Sequence, residues 1–186
     1  MRSARFSRAA VIALSALVLL PLLPVSAEAQ TARRGSDTGF ELPRFASFKS
    51  RTVNLRVGPG RDYRVDWVYT KPGLPVEIVQ EFDNWRRVRD AEGTEGWVFA
   101  PLLAGRRTAV AAPWLDKDAE APLELRRKPR GDAEVTARIE PGVTGTITEC
   151  DGEWCRFEPH AAKGEVVGWL PQVELWGAYP GETFED

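Results

Sequence analysis

Apolar residues along most of this chain come in short bursts at every second position. Leu74, Val76 and Ile78 alternate with other residues, and Val143, Gly145 and Ile147 repeat that spacing further on. Period-two bursts cut by Gly, Pro and Asp predict short strands joined by turns. No helical stripe with caps stands out after Gln30, so the expected class is all-β.

The pattern occurs twice. The stretch from Thr52 to Leu103 returns, altered, from Pro122 to Trp176. Leu55-Arg56 matches Leu125-Arg126, Pro59 matches Pro129, and Pro72-Gly73 matches Pro141-Gly142. Trp85 with Val88 matches Trp154 with Phe157, and Gly96-Trp97 matches Gly168-Trp169. Anchors in one order make an internal repeat the simplest explanation. Units of about 60 residues bury barely enough surface to fold alone, so packing together or stapling would help. The expected organisation is a leader (1–29), a flexible lead (30–46), a first domain (47–111), a linker (112–120), a second domain (121–180) and a loose tail (181–186). Residues 106–111 are expected to add a last strand to the first domain. The glycines of Gly58-Pro59-Gly60 are expected to supply backbone angles that other residues resist.

Val53-Asn54-Leu55-Arg56-Val57-Gly58-Pro59-Gly60, then Lys71-Pro72-Gly73, Trp85-Arg86-Arg87-Val88-Arg89 and Gly96-Trp97-Val98, resemble the bacterial SH3-like domain. The second copy resembles it more loosely, with Lys128-Pro129-Arg130 in place of the glycine turn and a loop expected to differ in shape. The resemblance implies two partly open β-barrels of about five strands in tandem, of the type found in exported proteins of Gram-negative bacteria. It also implies a non-catalytic module that recognises cell-wall peptidoglycan or a peptide of an envelope protein. In the wider SH3 class, ligands lie on aromatic residues between the first long loop and the start of a central strand. By position, the candidate ligand contacts are Tyr63, Trp67, Asp83, Asn84 and Trp85 in the first copy, and Trp154 in the second beside Asp151 and Glu153. Packing of Trp67 and Trp85 into the core is the competing reading, and Trp97 and Trp169, each after a glycine, are expected to be core.

Charge enters next. Arg2, Arg5 and Arg8, the apolar run Ala9–Leu23 and Ala27-Glu28-Ala29 have the order of a secretory signal peptide. A membrane anchor is the weaker reading, because Pro21 and Pro24 interrupt the run. Export, to the periplasm if the source is Gram-negative, is therefore expected. Taking those three arginines and Glu28 from 25 basic and 27 acidic residues leaves 22 and 26, an excess of acid. That balance argues against nucleic acid as a partner. No further segment is apolar enough to span a membrane.

Catalysis finds little support. The one histidine, His160, lies five residues after Cys155, a separation of about 16 Å along a strand. Three ligands, Cys150, Cys155 and His160, fall short of a closed zinc site, and the cysteines lack the C-x-x-C spacing of a redox dithiol. No cofactor or metal is expected. A disulfide Cys150–Cys155 across a hairpin fits, since facing residues of an antiparallel pair lie within bridging distance. Aligned on the tryptophans with one residue inserted at the turn, Cys150 stands for Phe82 and Cys155 for Arg86.

Overall fold

A computed structural model describes residues 33–116, 122–160 and 166–185. The expected leader, 1–29, lies outside these residues, as does the expected linker from 117 onward.

The alternation becomes strands. They are β1 (Arg33–Arg34), β2 (Glu41–Leu42), β3 (Arg44–Phe48), β4 (Val53–Arg56), β5 (Val65–Tyr69), β6 (Pro75–Phe82), β7 (Trp85–Arg89), β8 (Glu95–Phe99) and β9 (Leu103–Ala104). Then come β10 (Thr108–Ala111), β11 (Leu123–Arg126), β12 (Val135–Ile139), β13 (Thr144–Asp151), β14 (Trp154–Pro159), β15 (Gly168–Pro171), β16 (Leu175–Trp176) and β17 (Thr183–Glu185). One sheet has the order β5-β4-β8-β7-β6-β3-β9, the other β12-β11-β15-β14-β13-β10-β16 with β17 added on β13. Neither order returns to its first strand, so each is a partly open barrel. The same five strands recur in both copies, with a leading strand and a two-residue closing strand.

The repeat extends to irregularities. The ladder shifts between Leu55 and Arg56 and again between Leu125 and Arg126. A second shift, between Ile78 and Gln80, returns between Ile147 and Glu149. Bulges of this kind bend strands around a small barrel. Val53, Leu55, Val76, Ile78, Val88 and Val98 fill the first core, and Leu125, Ile147, Cys155, Phe157 and Leu170 fill the second. Gly96 shows how tightly the first closes: a Cβ there would lie 2.5 Å from Leu55 Cγ. Its inward side is therefore bare, and Trp97 projects from the opposite face, half-buried, as does Trp169. Neither belongs to the core as expected.

Three segments are arranged otherwise than the sequence suggests. Residues 108–111 do not complete the first barrel. As β10 they pair with β13 and β16 of the second, as β3 pairs with β6 and β9 of the first. Residues 112–122 thus connect two strands of the second barrel. The described part of the expected lead is hydrogen-bonded structure: β1 and β2 form a hairpin, and β3 joins the first sheet. The anchor is Glu81, whose buried carboxylate accepts from the amides of Asp37 (3.1 Å) and Thr38 (2.9 Å), the Thr38 hydroxyl (2.7 Å) and Arg44 (2.6 Å). Burial opposes that charge, but the bonds from the Thr38 hydroxyl, Arg44 and the two amides prevail and bring its pKa down to about 2. The expected loose tail is likewise held. β17 pairs with β13, and the Glu182 carboxylate accepts from Arg107 at 2.7 and 2.8 Å.

The barrels also touch directly. Phe45 meets Trp176 edge-on at 5.1 Å and Tyr179 at 4.7 Å. The Tyr179 hydroxyl donates to Glu77 at 2.9 Å, and Glu77 is ion-paired with Arg89.

Candidate functional site

The outer face of β4, β8 and β7 carries an aromatic surface because the inward positions of these strands are taken by Leu55, Gly96, Val98 and Val88. Trp85 pairs across the ladder with Phe99, and their rings lie 5.6 Å apart. Phe82, opposite Trp85 at the hairpin end, meets Trp97 edge-on at 6.5 Å. A groove of about 340 Å³ runs along this face, lined by Thr52, Asn54, Arg56, Trp85, Phe99 and Leu102 with Arg61 from the long loop. It lies between the first long loop and the start of a central strand. Its only charges are two guanidinium groups. Arg56 is committed to the loop, donating to the carbonyls of Arg61 (3.0 Å) and Tyr63 (2.6 Å). Arg61 sits 5.6 Å from the centre of the Phe99 ring and has no carboxylate partner among the described residues. The groove therefore offers a flat aromatic wall, an amide and one unspent cation.

The sequence-predicted contacts do not converge there. Only Trp85 lines this groove. Tyr63 is half-exposed with its ring over the glycine turn, and a Cβ on Gly58 would lie 2.4 Å from it. Neither Gly58 nor Gly60 has a positive φ, so these glycines make room for Tyr63 and are not there for their backbone angles. Asp83 and Asn84 form the exposed hairpin tip. Asp83 takes a φ of 49° and its carbonyl accepts from Arg86, while the Asn84 carbonyl accepts from the Ala100 amide at 2.8 Å. Trp67 lines a separate cleft with Tyr69, Lys71, Asp90 and Leu115. The sequence reading missed Asn54, Arg56, Arg61, Phe99 and Leu102. For Asn54, Arg56 and Phe99 the signal was alternation with Leu55 and Val98, while Arg61 in the loop and Leu102 in the 3-10 turn carried none.

In the second barrel Trp154 occupies the place of Trp85, but its surroundings differ. Ladder and loop positions put Glu124 for Asn54, Gly131 for Arg61, Pro171 for Phe99 and Glu174 for Leu102. Arg126 remains, donating to the Ala133 carbonyl at 2.8 Å and ion-paired with Glu124 at 2.7 Å. Burial raises the Glu174 pKa, partly offset by Arg126. The long loop nevertheless keeps its shape: Arg127 N donates to Glu134 O and Arg130 N to Lys128 O, as Val57 does to Arg64 and Gly60 to Gly58. The expected difference in loop shape is absent, because Ala133 in place of Tyr63 leaves room for Lys128.

The cysteines form a disulfide, with Cα atoms 4.1 Å apart on facing positions of β13 and β14. Both are buried, and the bridge removes them from thiol chemistry. Their register corrects the alignment. Ile78 faces Val88 as Ile147 faces Phe157, so Cys150–Cys155 stands where Glu81–Arg86 stands in the first barrel. No residue is inserted at the turn. Among the described residues no group of three or more His, Cys, Asp or Glu side chains is placed to hold a metal ion, and no helix is long and apolar enough to cross a membrane.

The bacterial SH3 domain description matches residues 49–105 and 119–177, more than half of the chain. The chain belongs to the bacterial SH3 domain family. Two solved structures, of NlpC1 and NlpC2 from Trichomonas vaginalis, are similar at 10% identity each, with TM-scores of 0.32 and 0.30. The matches cover 76% and 74% of this chain, and 48% and 49% of those proteins, so the chain spans about half their length. No curated protein matches. The first SH3 domain is the one whose groove holds an aromatic wall and a cation without a carboxylate partner among the described residues.

Proposed function

We propose that this is an exported, non-catalytic binding protein of the cell envelope. Its first SH3 domain grips a peptide bearing a carboxylate, either a stem peptide of peptidoglycan or a segment of an envelope protein. Export rests on the arrangement of residues 1–29 in the sequence. The observation that carries the binding reading is the contrast between the repeats. One outer face keeps Trp85, Phe99 and Arg61, and the other replaces two groove residues by Glu124 and Glu174. Arg61 rests over the Phe99 ring with no carboxylate partner among the described residues, which leaves its charge available to a ligand carboxylate.

The test is co-sedimentation with purified sacculi, intact or stripped of stem peptides, beside a wall-binding control domain. The protein is expected in the pellet with intact sacculi and in the supernatant with stripped ones. Asn54→Glu with Leu102→Glu, which introduces the second repeat's residues, should weaken retention by about tenfold. Failure of the unaltered protein to sediment while the control does would overturn wall binding. A second reading is a structural or adaptor role in which the two barrels, joined by the contacts of Phe45 with Trp176 and Tyr179, hold another protein. Capture of an envelope protein that the same double substitution abolishes would then favour it.

A further inference from the structure

An open sheet ends in an edge strand whose outward N–H and C=O groups remain available to another strand. In the first barrel that strand is β5. It pairs with β4, and no turn or loop backbone bond among the described residues reaches positions 65–69. The second barrel leaves β12 in the same place, paired with β11. The repeat therefore supplies its own comparison for what this edge needs in order to fold.

The side chains on the two edges differ in kind. Leu55 faces Trp67 as Leu125 faces Ala137, so Ala137 and Arg138 stand where the first barrel has Trp67 and Val68. Arg138 is ion-paired with Glu124 at 3.1 Å and puts a charge beside Ala137. The one charge on β5, Asp66, pairs with Arg64 before the strand, and Trp67 and Val68 beside it are uncharged. Trp67 and Val68 are instead 59% and 44% exposed. Folding does not require them, since the same strand forms with alanine and arginine.

Beneath Trp67 lies a cleft of about 410 Å³ with an acidic rim. The Asp90 carboxylate is held in place by the Tyr69 hydroxyl at 2.7 Å and by the amides of Glu92 and Thr94 at 3.0 and 2.8 Å. Glu92 is exposed and has no side-chain partner among the described residues. The one cation in the lining, Lys71, donates to Thr144 at 3.2 Å. The cleft shares no lining residue with the Trp85 groove.

We infer that the outer edge of β5 is a second docking site, for an extended segment of a partner protein that carries a lysine or arginine. The incoming strand satisfies the β5 backbone, lays one side chain against Trp67 and directs its cation to Asp90 and Glu92. Main-chain bonds supply affinity for any extended chain, and the indole and carboxylates select the basic one.

The probe is a capped peptide of alternating threonine and valine with one central lysine, followed by backbone-amide NMR of the protein. Shifts are expected at Val65–Tyr69 and the Trp67 indole, with Val135–Ile139 unmoved as an internal control. Exchanging the lysine for glutamate should weaken binding by about tenfold, and N-methylating alternate amides should abolish it. Trp67→Ala with Val68→Arg, residues that β12 already tolerates, should weaken binding at least as much. Glu92→Gln, at an exposed position, should reduce the preference for lysine over glutamate, with Asp90 retaining the remainder. The inference is overturned if no β5 amide moves at millimolar peptide, if the glutamate or N-methylated peptide binds equally, or if the shifts fall on the Trp85 groove. Sacculus retention should be unchanged in the Trp67 variant, so this site and the groove can fail independently.

Discussion

Tyr63 shows how one aromatic can be misread. Half-exposed in a loop, it has the profile of a ligand contact, yet its ring fills the space that two glycines leave open. The second barrel drops the tyrosine and the glycines together, with Ala133, Lys128 and Arg130 in their places, and two backbone bonds of the loop are kept. Gly58 and Tyr63 are thus one packing unit. Gly58→Ala should cost about 1–3 kcal/mol by forcing the methyl against the ring. Adding Tyr63→Ala should recover most of that loss, a coupling that a double-mutant cycle in urea unfolding measures directly. Independent, additive effects would show that Tyr63 does not rest on Gly58.

Two hairpins, Ile78–Val88 and Ile147–Phe157, have one register and opposite chemistry at the same facing pair. The first holds Glu81 and Arg86, both buried, and the second holds a disulfide. The carboxylate also anchors β1 and β2, whereas beside Cys150 the chain is covered by β17, a backbone contact that needs no charge. Glu81→Cys with Arg86→Cys should therefore oxidise to a disulfide without rearrangement. Its reduction should cost about 2 kcal/mol. The hairpin at 33–42, losing its carboxylate, should exchange amide hydrogens faster. Two thiols still alkylated after oxidation would refute the equivalence. This pair also marks what the sequence made legible. Period-two bursts and Pro-Gly turns disclosed the strands, the repeat and the staple, because each is local. The pairing of 108–111 with β13 was hidden, since a four-residue strand has no local mark of which barrel it joins. The placing of Cys150 against Glu81 was hidden too. Side-chain likeness suggested Phe82, and only the ladder from Ile78 and Ile147 counts the residues correctly. Trp85 was legible as a candidate, but Phe99 joins it in the groove across the ladder and Arg61 from the long loop, and the face of Trp97 depended on Gly96 pointing inward.

The largest scale is the junction of the two barrels, which no sequence pattern announced. His160 lies on it. Its Nε2 is 2.9 Å from Thr146 Oγ1, and its Cε1 lies 3.2 Å from where a Cβ on Gly73 of the first barrel would stand. The residue is exposed as a whole, but partial burial of the ring lowers its pKa below the ordinary histidine value, Lys71 and Arg106 add to the effect, and Glu158 opposes it. Folding therefore favours the neutral ring. Well above about pH 6.5 the ring is neutral in folded and unfolded chains alike, and its contribution is constant. Below that value the unfolded chain takes up a proton that the folded ring resists, so stability falls with pH until the folded ring protonates as well. Unfolding free energies measured by urea between pH 7.5 and pH 5 should show this decline, and His160→Gln should flatten it. A slope unchanged by that substitution would place the titration elsewhere. Glu81, charged down to about pH 2, keeps its state across this window, so its hold on the 33–42 hairpin does not change in mild acid.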